Sequence, residues 1–279
     1  MRKFTLSVML ALAAMAANAQ EPASKAWSDN LTTTMEALDL RRGADMAIDN
    51  EGNAIVTGSY TDAIEFANSY LEPIATSAFV AKYDKEGKKK WAAGLKGAAT
   101  ITTVTTDAEG NVYAAGVFAD NVFILDGNGV SKNTITGMKD NTEQKSGFIV
   151  KYNKEGEYVA SKVIIPEQAR TDELYGDPDP SFTPSKIVAA NGEVYIATSF
   201  QGDSKISDGL TLKGQYGSIV GAFTWDVPTL AIISMSDDFS NAELVAQLAS
   251  TANETSIGYG AESLNFTIDG SKVYAGFVA

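Results

Sequence analysis

The chain has no cysteine and no histidine among its 279 residues. Without cysteine no disulfide can staple a small fold, so stability must come from a large buried core. A thioether-linked lipid anchor is excluded for the same reason. Without histidine there is no Ser-His-Asp triad, no Cys-His dyad, no histidine-ligated zinc and no ordinary base near neutral pH. Any catalysis is left to carboxylates, tyrosine, lysine or an oxygen-bound metal. Basic residues are also few, 22 Lys+Arg against 35 Asp+Glu, for a net charge of −13. A phosphate backbone would be repelled, so no nucleic-acid partner is expected. The only basic run, Lys88-Lys89-Lys90, reads as the solvated side of a hairpin.

Long apolar runs are scarce. The best internal stretch, residues 218–235, is broken by Asp226 and Pro228. At the N-terminus, Arg2 and Lys3 precede an apolar run from Phe4 to about Ala16, then Ala17-Asn18-Ala19 before Gln20. Charge, a short apolar stretch and a small-x-small exit are the pattern of a secretory signal peptide over residues 1–19. The run falls short of the roughly 20 apolar residues that span a bilayer. The expectation is an exported protein, periplasmic, cell-surface or extracellular, with no membrane span after signal cleavage.

Self-similarity dominates the rest. Asp49-Asn-Glu-Gly52-Asn53-Ala-Ile-Val-Thr-Gly58-Ser-Tyr60 matches Asp107-Ala-Glu-Gly110-Asn111-Val-Tyr-Ala-Ala-Gly116-Val-Phe118. Further copies begin at Ala189 and Ile268. A second block follows each of the first two: Ala78-Phe-Val-Ala-Lys82-Tyr83-Asp-Lys-Glu-Gly87, then Trp91, and Gly147-Phe-Ile-Val-Lys151-Tyr152-Asn-Lys-Glu-Gly156. A degenerate third copy starts at Leu230, with Ser234-Met235 in place of Lys-Tyr. Each block is a pair of β-favouring runs around an Asp-x-x-Gly turn, where Asp caps and Gly supplies a positive φ. Two hairpins per repeat make four strands. Repeated four-stranded antiparallel sheets make a β-propeller, so the expected fold is all-β with three blades and part of a fourth. The blades are expected over 44–97, 101–165, 185–249 and 262–279, after an N-terminal strand and linker over 20–43. Trp27 to Leu31 echoes Trp91 to Leu95 and reads as a ring-closing outer strand. The partial fourth copy suggests further blades beyond Ala279. The second glycine, present in three of the four copies, is expected near the axis, where neighbouring blades crowd. Insertions at 61–77, 119–146 and 201–229 are expected to decorate one face.

The pattern Asp-x-x-Gly-Asn-x-Tyr-x-x-Gly, then Phe-Val-x-Lys-Tyr-Asp-x-x-Gly, then Trp, resembles the seven-bladed propeller repeat of exported bacterial proteins called SBBP. Residues 44–97 and 103–165 carry it, and residues 185–249 diverge, with Thr198 at the second glycine. The resemblance implies an exported propeller, usually without an assigned activity, and brings no catalytic residues.

Candidate sites are few. Asp49-x-Glu51-x-Asn53 and Asp107-x-Glu109-x-Asn111 begin like a calcium loop, but position twelve is Tyr60 or Phe118, so turn chemistry is the reading and no metal is expected. Asp177-Pro-Asp179-Pro180, with Tyr175, offers paired carboxylates or a rigid turn. Phe123, Tyr216 and Trp225 lie in the insertions, as sugar-stacking or partner-anchoring aromatics or as a satellite core. Asp126-Gly-Asn-Gly129 reads as a turn, and Trp91, Phe79, Phe148, Tyr83 and Tyr152 as packing between blades. The leading function is a non-catalytic binding or scaffold module for a glycan or protein, with no cofactor. The alternatives are a carboxylate-based glycan hydrolase or lyase and a structural envelope spacer.

Overall fold

A computed structural model describes residues 45–67, 69–138, 144–167, 180–219, 223–248 and 263–278. Every regular element among them is a β-strand, as expected. The first sheet contains β1 (Met46–Ile48), β2 (Ala54–Tyr60), β5 (Ser77–Tyr83) and β6 (Lys89–Lys96), hydrogen-bonded in that order. Between β2 and β5 sits a hairpin of β3 (Ile64–Phe66) and β4 (Ser69–Leu71). The second sheet repeats the plan with β7 (Ala99–Thr106), β8 (Val112–Phe118), β11 (Ser146–Tyr152) and β12 (Tyr158–Ile164), around a hairpin of β9 (Asn121–Leu125) and β10 (Ser131–Thr136).

The third sheet is built from β14 (Ser181–Ala190), β15 (Glu193–Gln201), β20 (Thr229–Ser236) and β21 (Ala242–Leu248). Its insertion holds β16 (Asp203–Lys205), which pairs on one side with β17 (Thr211–Leu212) and on the other with β13 (Pro166–Glu167) of the preceding connection, and a hairpin of β18 (Gln215–Ile219) and β19 (Phe223–Val227). A last hairpin joins β22 (Ser263–Asp269) to β23 (Lys272–Val278). The expected signal peptide and the Trp27–Leu31 strand lie outside the described residues.

Local chemistry explains the hairpins. Five turns, at 49–53, 84–88, 107–111, 126–130 and 153–157, use one construction. An Asp or Asn side chain accepts hydrogen bonds from backbone amides later in its own turn, as when Glu51 N and Asn53 N donate to Asp49 Oδ1. The fourth residue is glycine with φ between 75° and 85°, a region that costs any residue with a Cβ.

Alternation within the strands gives each sheet two apolar faces. One face of the first sheet, with Ile55, Val80, Trp91 and Leu95, packs on Val112, Phe118, Phe148, Val150 and Tyr152 of the second. The second sheet's opposite face, with Tyr113, Ala115 and Ile149, packs on Phe182, Ile187, Val194 and Ile233 of the third. Ala197, Leu230 and Ile232 of the third then meet Phe266, Ile268 and Val273 of the last hairpin. Each fully buried Leu, Ile, Val or Phe is worth about 1.5–3 kcal/mol relative to exposure. Trp91, Phe148 and Tyr152 lie between sheets as expected. Phe79 and Tyr83 face the other way, where Tyr60 and Phe66 meet them edge-on at 6.3 and 5.1 Å.

The first strands of successive sheets approach one another: β1 meets β7, β7 meets β14, and β14 meets β22. Polar links run along them. Val104 N and Thr103 Oγ1 donate to Asp45 Oδ2 at 3.0 and 3.1 Å, and Ile187 N donates to Thr103 Oγ1 at 3.1 Å. The last strands of the first and second sheets instead have one inserted hairpin, β9–β10, between them. β9 pairs with the end of β6, and Asn133 on β10 donates to Tyr158 and Ser161 of β12.

Two expectations need correction. The described part of the insertion at 119–146, residues 119–138, does not decorate one end of the sheets. It folds back along the outer edge of the first sheet, and Gly127 N at its tip donates to Gly156 O, in a short turn at the opposite end, at 2.7 Å. An exposed outer strand offers unpaired backbone, and β9 pairs with part of it, at Leu95 and Lys96. The second correction concerns Gly116. A Cβ there would collide with the carbonyl of Thr100 on β7, within the same sheet, where β7 bulges between Ile101 and Thr103. Its small size answers the bulge rather than a neighbouring blade.

Candidate functional site

The exposed surface with the richest chemistry is where the two inserted hairpins meet. A cleft of about 470 Å³ is lined by Tyr70, Glu72, Ile74, Lys96, Phe123, Leu125, Gly129 and Ser131. Strand register builds it. On β4, Ser69 and Leu71 are buried, which turns Tyr70 outward at 58% exposure. The Ser69 hydroxyl donates to Gly127 O and ties β4 to the tip of the β9–β10 hairpin. On β9, Val122 and Ile124 are buried between the first and second sheets, so Phe123 turns outward at 38% exposure, opposite Lys96. Lys96 Nζ lies 3.5 Å from Glu72 Oε2.

The floor is the 126–130 turn. Gly129 has φ 75°, and a Cβ there would sit 3.2 Å from Tyr70 O. Asp126 anchors the turn by accepting from Asn128 N and Val130 N at 2.9 and 3.0 Å. Burial alone would raise its pKa. Those two amides and Lys132, 3.1 Å away, outweigh burial and hold its carboxyl below the usual value. Asp126-Gly-Asn-Gly129 is therefore a turn, as expected, and also the base of a cleft.

The other expected residues fall in several places. Tyr216 pairs with Asp226 and Trp225 with Gly217 in the β18–β19 hairpin. Tyr175, Asp177 and Asp179, on which the carboxylate-enzyme alternative rested, lie outside the described residues. The two calcium-like loops spend their oxygens internally. Asp49 Oδ2 accepts from Asn53 Nδ2 and pairs with Lys82 at 2.9 Å, and Asp107 Oδ2 accepts from Asn111 Nδ2 and Tyr113 Oη. Burial of Asp49 works to raise its pKa, but Asn53 and Lys82 prevail and lower it.

Sequence reasoning missed Tyr70, Glu72, Ile74 and Lys96. The signal for Tyr70 was the alternation Ser69-Tyr70-Leu71, too short to stand out. Lys96 becomes part of the cleft only through its pairing with β9, a contact made across sheets.

A second hollow, of about 370 Å³, lies between short turns of the second and third sheets. Its lining includes Asp107, Glu109, Asn111, Asn191, Glu193 and Asp237. Among the described residues no group of three or more acidic side chains is placed to hold a metal ion.

No family model matches the chain. Over 89 residues it is 39% identical to an uncharacterized WD repeat-containing protein of Acanthamoeba polyphaga mimivirus. That stretch is 26% of this chain and 6% of the viral protein, so the likeness covers a small part of a much longer molecule.

Proposed function

We propose that the chain is an exported β-propeller module, with three blades and part of a fourth in this sequence, that binds a glycan or protein ligand without catalysis. The observation that carries this reading is the geometry of successive sheets: their first strands draw together, while the inserted β9–β10 hairpin lies between the last strands of the first two. Sheets arranged about an axis must be close inside and spread outside. The WD repeat likeness and the SBBP-like motifs favour the same architecture. A binding role fits exposed aromatic side chains on rigid strands and the absence of histidine and cysteine. The segment Arg2 to Ala19 supports export.

The test is to present the purified chain to a glycan array and to envelope extracts while assaying reducing-end release from the same polysaccharides. Saturable binding without turnover is expected. Release of reducing ends, or no binding to either source, contradicts the reading. N-terminal sequencing of secreted material checks export, with a mature start at Gln20 expected.

A further inference from the structure

We propose that the cleft between β4, the end of β6 and β9 binds a neutral glycan, with Tyr70 and Phe123 as stacking surfaces and Glu72 and Lys96 as hydroxyl partners. This deepens the binding-module reading and rests on it.

Four observations converge. First, both rings are presented by locked strands. Tyr70 stands between two buried neighbours, one of them hydrogen-bonded to Gly127. Phe123 stands between two residues buried in the junction of the first and second sheets. Neither ring loses much freedom on binding, which lowers the entropic cost of a contact. Second, folding does not require an aromatic ring at either position, because each ring points away from the core that its neighbours fill. With exposed Ile74 the two rings line one surface rather than standing singly, and a contiguous exposed apolar patch marks a contact surface.

Third, the polar groups suit hydroxyls. The Lys96 ammonium donates and the Glu72 carboxylate accepts. A sugar ring offers an apolar C–H face to an aromatic ring and a rim of hydroxyls that both donate and accept. A purely apolar ligand would strip water from both charges without replacing their hydrogen bonds. The pair at 3.5 Å is partly open to solvent, and such pairs add little stability, so folding alone does not account for it.

Fourth, charge and surroundings narrow the class. The net charge of −13 opposes a polyanion. Beside the cleft, β10 presents exposed Ser131, Lys132, Asn133 and Thr134, a polar border next to the apolar Ile74 and Val130, whereas a protein interface needs about 800 Å² per partner. The volume of about 470 Å³ lies within the range of small-ligand sites, roughly 300–1,000 Å³.

The experiment measures retention of the chain by immobilised cello-, xylo-, manno- and laminari-oligosaccharides and by oligogalacturonate, then titration calorimetry with the best of them. Wild-type, Tyr70→Ala, Tyr70→Phe and Phe123→Ala are compared, with near-UV circular dichroism and the melting temperature as fold controls. At least one neutral series is expected to bind. Tyr70→Ala and Phe123→Ala should each weaken it roughly tenfold, while Tyr70→Phe stays within about twofold because the ring is kept. Neutral-glycan binding untouched by either alanine would place the site elsewhere and overturn the proposal. Retention by oligogalacturonate or a protein alone, lost in Tyr70→Ala, would overturn the ligand class and leave the binding module standing. No binding to any probe, together with no capture from envelope extracts, would remove both. Should Phe123→Ala fail the fold controls, Tyr70→Ala against Tyr70→Phe decides the matter.

Discussion

At the junction of the first and second sheets, Trp91 on β6 lies over the 153–157 turn of the second sheet. Its indole N–H donates to Lys154 O at 3.1 Å, and a Cβ on Gly156 would come within 2.6 Å of the ring. At the junction of the second and third sheets, the position matching Trp91 is Ala160, since Lys82 pairs with Trp91 and Lys151 with Ala160. The position matching Gly156 is Phe239, which carries the same turn hydrogen bond and a φ of 62°. Phe239 is buried and meets Tyr113 at 6.3 Å. One junction is filled by a large residue from the earlier sheet over a glycine. The other is filled by a large residue from the later sheet over an alanine.

The repeat therefore conserves the volume between sheets rather than the residue that supplies it. A non-glycine side chain is accepted in the left-handed turn position because its packing outweighs a strain of about 1–2 kcal/mol.

The repeated lysine shows the same exchange. Lys82 Nζ donates to Lys154 O of the next sheet and pairs with Asp49 of its own, both side chains almost wholly buried at 5% and 1% exposure. Lys151 Nζ donates to Asp237 O, pairs with the Asp237 carboxylate across the junction, and sits 5.2 Å over the Tyr113 ring. The Asp237 side chain is 60% exposed. The cation and its link to the following turn persist, while the counterion changes sheet and depth.

These differences predict graded effects. Asp49→Ala strands the buried Lys82 charge and should lower stability by about 3–5 kcal/mol, read from urea unfolding. A loss below about 1 kcal/mol would mean that solvent reaches Lys82. Trp91→Ala should cost about 3–4 kcal/mol. Phe239→Gly should cost less, about 2 kcal/mol, because glycine relieves the positive φ while the packing is lost. Equal losses would contradict the exchange. Asp237→Ala should cost at most about 1 kcal/mol, since the pair is open to solvent and Lys151 keeps its carbonyl and ring partners.

Acid should separate the junctions too. The Asp49 carboxyl is held below its ordinary value when folded. Its stabilisation is therefore full above the unfolded value, about 4, and lost as pH falls through that value toward the lower folded one. Asp49→Asn should flatten the fall of the urea midpoint below about pH 4. An unchanged slope would assign that acid sensitivity to Asp126 and other carboxylates.

Local chemistry was legible in the sequence, and chemistry between sheets was not. The Asp-x-x-Gly turns were readable because one side chain and one glycine fix them within five residues. Four strands per repeat followed from those turns and from the apolar runs beside them. The fold-back of the β9–β10 hairpin was not readable, because what draws β9 to β6 is an edge supplied by another repeat. Gly116 was misassigned because a bulge in β7 leaves no mark at Gly116 itself. The cleft was half visible. Phe123 stood out as an inserted aromatic, whereas Lys96 looked like any strand-end lysine until its register with Phe123 was known. Trp91 and Phe239 could not be matched by reading one repeat at a time, since each explains the absence of the other.

The most direct test is a double-mutant cycle that rebuilds the first junction in the manner of the second. Trp91→Ala and Gly156→Phe are measured singly and together by chemical unfolding. Gly156→Phe alone should be strongly destabilising, because its side chain enters the space that the indole occupies. The double variant should be more stable than the sum of the single losses allows, with a favourable coupling of at least about 1.5 kcal/mol. Strict additivity would mean that positions 91 and 156 do not share that space, and the stacked-sheet account would be wrong at its first junction.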